Sequence, residues 1–187
     1  MSKLNVDQKA IIDLLSDKKA DFLIPDYQRP YAWSEEQCQT LWDDIFLFSF
    51  PDNNYEAFDD NEEYFLGSIV TYKNENGKSE VIDGQQRLTT LMLILRAFYD
   101  KFESMKDKNS ILTRDRIEKC IWKTDTFGTA DKNTLKIDSE VATDNDKDEF
   151  LELLRTGVVK KGSKSQYVLN YQFFQKKIDE FLQEFPS

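Results

Sequence analysis

Apolar positions in this chain fall into two patterns, recurrences every third or fourth residue and short apolar runs of strand length. Val6, Ile11, Ile12, Leu14 and Leu15 predict a short amphipathic helix, with Lys18 and Lys19 at the end where a helix favours cations. Phe22-Leu23-Ile24 predicts a brief strand stopped by Pro25. Ser34 and Gln37 form a capping-box signature, and Cys38, Leu41, Trp42, Ile45 and Phe46 give the next helix its apolar face. Residues 64–72, rich in aromatic and β-branched side chains, predict a strand interrupted at Gly67, either by a bulge or by a close backbone approach. A hairpin loop at 74–78 then leads into Glu80-Val81-Ile82. Leu88, Leu91, Met92, Leu95, Phe98, Tyr99 and Phe102 predict a strongly amphipathic helix. After a polar break at 106–109, the pattern predicts a helix over 111–122, a loop over 124–133 and a short strand at 135–137. A helix ending near Gly157 and a last helix over 165–185 follow. The acidic stretch 52–63 has no period and reads as an exposed loop.

This order implies an α+β fold, a small mixed sheet with packed helices followed by a mainly helical part. A length of 187 residues holds one compact unit, divisible into a core over 1–105 and a helical extension over 106–187 packed on it. Composition supports folding: hydrophobic residues make up 40% and aromatics 13%. Lys plus Arg total 25 against 35 acidic residues, a net charge of −10, which argues against broad attraction to a nucleic-acid backbone. No apolar run is long enough to span a membrane and no leader pattern is present, so a cytoplasmic location is expected. Cys38 and Cys120 lie in helical apolar patterns and read as small core residues. Histidine is absent, which removes Ser-His triads and histidine-ligated zinc sites from this chain.

The candidate chemistry gathers where a predicted strand runs into the central helix, at Val81-Ile82-Asp83-Gly84-Gln85-Gln86-Arg87-Leu88-Thr89-Thr90. The first helical turn sets Gly84, two amides and a guanidinium where a helix has unpaired N–H groups and a partial positive charge. A phosphate or another planar anion suits that combination. Taken alone, these residues favour a plainer reading in which Asp83 caps the helix, Gly84 relieves the turn, and Gln and Arg face water. P-loop and Rossmann phosphate motifs are both absent.

Context reverses that order. The segments Ile24-Pro25-Asp26-Tyr27-Gln28-Arg29-Pro30-Tyr31-Ala32-Trp33, Tyr64-Phe65-Leu66-Gly67-Ser68-Ile69-Val70 and Ile82-Asp83-Gly84-Gln85-Gln86-Arg87-Leu88-Thr89-Thr90 occur in this order, with Asn170-Tyr171-Gln172-Phe173-Phe174 near the end. Together they resemble the N-terminal domain of GmrSD-type modification-dependent restriction proteins. The resemblance implies a ParB/sulfiredoxin-like fold, whose Gly-x-x-Arg phosphate turn Gly84-Gln85-Gln86-Arg87 fits. It also ties the Asp-Gly-Gln-Gln-Arg motif to nucleoside triphosphate binding and hydrolysis. That hydrolysis is coupled to DNA cleavage by a separate C-terminal nuclease domain of the His-Asn-His (HNH) type. A chain without histidine lacks that nuclease, so the sequence resembles an excised N-terminal domain of a phage-defence restriction system.

If the two motifs meet in space, Arg87 and the backbone of Gly84 and Gln85 would hold phosphates, with Arg29 and Gln28 adding a cation and an amide. Asp83 would bind a magnesium ion bridging phosphate oxygens, and Gln85 or Gln86 would orient a water. Tyr27, Tyr31 and Trp33 can stack on a base or simply pack, and Thr89 and Thr90 can reach a phosphate or bond the preceding turn. Two readings stand: a nucleotide-hydrolysing module that regulates an absent nuclease, and a non-catalytic module that senses a nucleotide or DNA. A nuclease acting alone ranks below both, since clustered metal ligands are not evident beyond Asp26, Asp43, Asp44 and Asp83, and the domain is acidic.

Overall fold

A computed structural model describes residues 6–185 apart from position 60, which falls in the acidic stretch. The α+β expectation holds: among the described residues there are six α-helices, a four-stranded mixed sheet and a separate two-stranded sheet. The elements are α1 (Ile11–Ser16), β1 (Phe22–Ile24), α2 (Glu35–Ser49), β2 (Val70–Lys73), β3 (Ser79–Asp83), α3 (Gln85–Glu103) and α4 (Lys108–Ile121). Then come β4 (Trp122–Thr124), β5 (Ala130–Leu135), β6 (Ile137–Ser139), α5 (Lys147–Thr156) and α6 (Gln166–Glu184).

The sheet order is β2-β3-β1-β6. β1 runs parallel to both β3 and β6, and its three residues are all buried, as an apolar run without alternation requires. The β2–β3 hairpin is antiparallel, and it delivers the chain at Asp83 directly to the start of α3. α3 is the central helix, packed against α4 and α6. It is buried on more than its apolar face, because Gln85, Gln86, Thr89, Thr90 and Arg96 are covered as well. Buried polar groups of this kind are costly unless most of their atoms are paired. Arg96 shows how: it donates to Asp100 Oδ1 at 2.6 Å and to the Leu154 carbonyl at 3.3 Å, over the rings of Tyr99 and Trp122.

The capping box at Ser34 and Gln37 forms, both cysteines are buried, and α5 ends at Gly157 in the left-handed conformation. Four local expectations need correction. The first helix is confined to Ile11–Ser16, with Val6 lying ahead of it and 89% exposed. Only Val70–Lys73 of the stretch 64–72 is strand, and the preceding residues instead wrap the start of α3. Most of the loop read at 124–133 belongs to the β4–β5 hairpin, whose polar and largely exposed residues leave no alternation to read. The strand read at 135–137 is divided between β5 and β6 by Lys136, a fully buried residue whose Nζ donates to the Asp17 carbonyl.

Candidate functional site

The two sequence motifs meet at the N-terminus of α3. An open cleft of about 270 Å³ there is lined by Gln28, Arg29 and Trp33 from the segment after β1, by Ser68, by Ile82 and Asp83 of β3, and by Gly84, Gln85, Gln86 and Arg87. α3 is entered through Gly84 at φ 86°, and no side chain caps it, Asp83 included. The first-turn N–H groups are therefore left without a side-chain acceptor. A Cβ at Gly84 would lie 2.7 Å from the Ser68 carbonyl oxygen, so the 66–69 segment can pass only over a glycine.

The amides knit the motifs together. Gln28 Nε2 donates to the carbonyls of Val81 at 3.1 Å and Ile82 at 3.0 Å. Gln85 Nε2 donates to the Arg29 carbonyl at 2.9 Å, and Gln86 Nε2 to that of Pro30 at 3.1 Å. Gln86 Oε1 accepts from the Ala32 N–H at 2.8 Å. Gln85 is 7% exposed, and its Oε1 has no hydrogen-bond partner. That oxygen is a buried acceptor on a residue that lines both the cleft and a second, much smaller cavity, together with Arg29, Tyr31, Thr89 and Ser139.

The charged groups are arranged differently. Arg87 is half-buried, with Nη1 donating to the Ser68 carbonyl at 3.0 Å. Its guanidinium lies flat against Gly67, where a Cβ would approach Cζ to 2.6 Å. The interruption at Gly67 in the sequence thus marks a close approach, made by a side chain. Arg29 is exposed on the cleft. Among the described residues no carboxylate pairs with Arg29 or Arg87, and none of the cleft's lining residues except Asp83 is acidic. The cleft thus holds two cations to one anion in a chain whose net charge is −10.

The remaining candidates lie around it. Tyr27 is 64% exposed and does not line the cleft. Trp33 does, half-buried. Tyr31 packs inward, its ring stacked on Tyr167 at 4.7 Å, and burial above all pushes its hydroxyl pKa well above the ordinary value. Thr90 is fully buried and donates to the Gln86 carbonyl at 2.8 Å, while Thr89 lines the smaller cavity. Ser68 and Ile82 were given no role by sequence reasoning. Only the glycine break in an otherwise strand-like run hinted at that segment.

Fold and cleft together define an α+β domain with a cationic, amide-lined cleft at the uncapped start of its central helix. The model of the GmrSD restriction endonuclease N-terminal domain family matches residues 11–185, and the chain belongs to that family. Membership ties the chain to restriction and defence, and it implies interaction with DNA and a C-terminal nuclease partner domain. A search of curated proteins finds no match. No described helix is long and apolar enough to cross a membrane.

Proposed function

We propose that the cleft binds a nucleoside triphosphate by its phosphates and hydrolyses it, and that this cycle regulates DNA cleavage by the partner nuclease domain. The observation that carries the reading is the convergence of Arg29 and Arg87, neither paired with a carboxylate among the described residues, on the uncapped N-terminus of α3. Phosphoryl transfer relies chiefly on positioning and on neutralising charge, which guanidinium groups and oriented N–H donors supply without histidine. Arg87, held by Gly67 and Ser68, would act as the fixed cation, and exposed Arg29 as the second. Trp33 offers the base a ring to stack on at the cleft wall.

A magnesium ion that arrives with the phosphates needs few protein ligands, and the single cleft carboxylate, Asp83, suits it. Bound there, the metal would neutralise charge on the phosphate oxygens. Gln85 keeps one unpaired oxygen, the buried Oε1, and in this reading the amide would have to turn that oxygen into the cleft to orient the attacking water. Gln86 is spent on Pro30 and Ala32, so its role in this reading is to hold the wall. The turn Gly84-Gln85-Gln86-Arg87 fits a ParB/sulfiredoxin-like phosphate site, and two buried free thiols suit a reducing cytoplasm.

One observation favours the alternative of a sensor without turnover: three of the four amide atoms of Gln85 and Gln86 are already used internally. Calorimetric titration with each nucleoside triphosphate plus magnesium, beside a phosphate-release assay, separates the two. Binding with release, both lost in Arg87→Ala, is the expected outcome. Binding without release leaves the sensor, and unchanged affinity in a folded Arg87→Ala removes this turn from the site.

A further inference from the structure

Asn170 sits in the middle of α6, 1% exposed, far in sequence from either motif. Its Nδ2 donates to the Trp33 carbonyl at 2.8 Å and to the Tyr31 hydroxyl at 2.9 Å, while its Oδ1 accepts from Gln166 Nε2 at 2.9 Å. All of its principal bonding capacity is used, and both donors go to the segment that carries Arg29 and Trp33.

The proton directions beyond Tyr31 follow from counting. Thr90 has one hydroxyl proton and donates it to the Gln86 carbonyl at 2.8 Å. The 2.7 Å contact between Tyr31 and Thr90 must then be donated by Tyr31. A directed chain results, from Asn170 N–H to Tyr31 O–H to Thr90 O–H to the Gln86 carbonyl in the first turn of α3. Burial keeps the Tyr31 hydroxyl protonated, so the direction persists across the physiological range. α6 therefore grips the cleft at two points, the backbone under Trp33 and the turn that bears Arg87.

We infer that Asn170 is a positioning residue that holds Trp33 as the base-stacking wall of the cleft, so that α6 governs recognition of the nucleoside and not of the triphosphate. This rests on the nucleotide reading of the cleft. On the phosphate side the Arg87 guanidinium is held by Ser68 and Gly67, and Asn170 reaches that turn only indirectly, through the Tyr31 and Thr90 hydroxyls. Loss of Asn170 should therefore separate the two halves of the ligand, which a general loss of fold would not do.

The test titrates the full chain with a magnesium nucleoside triphosphate and, separately, with inorganic tripolyphosphate. In Asn170→Ala, nucleotide affinity should fall about ten-fold, as loss of a stacking contact implies, while tripolyphosphate affinity stays within about two-fold. Trp33→Ala should show the same split. Tyr31→Phe keeps the stack on Tyr167 and leaves the Asn170 bond to the Trp33 carbonyl, so it should show little or no split; Asn170→Ser stands in if Asn170→Ala does not fold. In the Asn170 and Trp33 variants, equal losses for both ligands, or none for the nucleotide, overturn the inference. If the unmodified protein binds neither ligand, the cleft reading fails and this inference with it.

Discussion

Gly67→Ala perturbs the site without touching any ligand. A Cβ at this position would lie 2.6, 2.7 and 2.8 Å from Cζ, Nη1 and Nη2 of Arg87, and ordinary contact begins near 3.4 Å, so the guanidinium must retreat by 3.4 − 2.6 = 0.8 Å or swing away. Because the obstacle is the end of a flexible side chain, it will move. The bond to the Ser68 carbonyl at 3.0 Å is then lost, along with the aim of the charge. If the displaced guanidinium no longer reaches the phosphates, the charged bond it would make to the ligand is lost, worth about 1.5–3 kcal/mol, so affinity for magnesium nucleotide and for tripolyphosphate alike should drop by roughly ten- to a hundred-fold. The backbone also pays, since φ at residue 67 is +99°. An alanine there costs about 1–2 kcal/mol, roughly 2–8 °C in Tm for a domain of this size. Gly77→Ala is the control: its φ is +78° and nothing lies within 4 Å, so it carries comparable backbone strain with no displaced cation. Calorimetric titration and thermal melting of the three proteins decide the matter. If Gly67→Ala binds as the unmodified protein does while melting like Gly77→Ala, the fixed orientation of Arg87 is not what the ligand reads, and the reasoning is refuted.

Asp83→Ala should lower magnesium-dependent phosphate release by at least about ten-fold while nucleotide affinity changes less, the pattern of a group that holds metal in the reacting complex; equal loss of both would remove Asp83 from that role. Burial pushes the Cys38 and Cys120 thiols up to about 11. Their folded values exceed the unfolded value, so their contribution to stability is intact below about pH 9 and is lost as pH rises towards 11, where unfolded thiols ionise first. Chemical denaturation at rising pH should show that decline, made shallower in a Cys38→Ala, Cys120→Ala variant, and an identical profile in the variant would refute the assignment.

The elements with strong apolar periods were legible before any coordinates. α2, α3 and α6 each expose a repeating apolar face, and the β2–β3 hairpin carries its turn in the residues 74–78. The β4–β5 hairpin was not legible, because β4 is only three residues long and the middle of β5 is exposed, which leaves no core to impose alternation. Nor could periodicity show Lys136 buried, since that burial depends on a long-range contact with Asp17. At the site, the sequence marked Asp83 to Arg87 and Gln28 to Trp33 as the unusual stretches, and Arg29, Trp33 and Arg87 do line one cleft. The division of labour among the amides was beyond it. Gln85 and Gln86 look alike in the sequence, yet one keeps an unpaired buried oxygen and the other is saturated by the loop. Asn170 matters to the cleft only because α6 folds back over the segment after β1, a contact across 137 positions that no local pattern announces.

Charge decides between ligands of different reach. Thirty-five acidic against 25 basic residues give the surface a field that opposes a phosphate polymer, which must lie across many side chains at once. A triphosphate is short. Salt screens surface charges over about 8 Å at physiological ionic strength, so a ligand inside the cleft is governed by Arg29, Arg87 and the start of α3 rather than by the distant acids. The same amino acids thus repel a duplex and admit a small polyanion. In a restriction system of two parts, the proposed reading would therefore give this domain the nucleotide and leave the extended grip on DNA to other parts of the protein, with α6 and Asn170 as the proposed route by which the rest of the chain acts on the cleft.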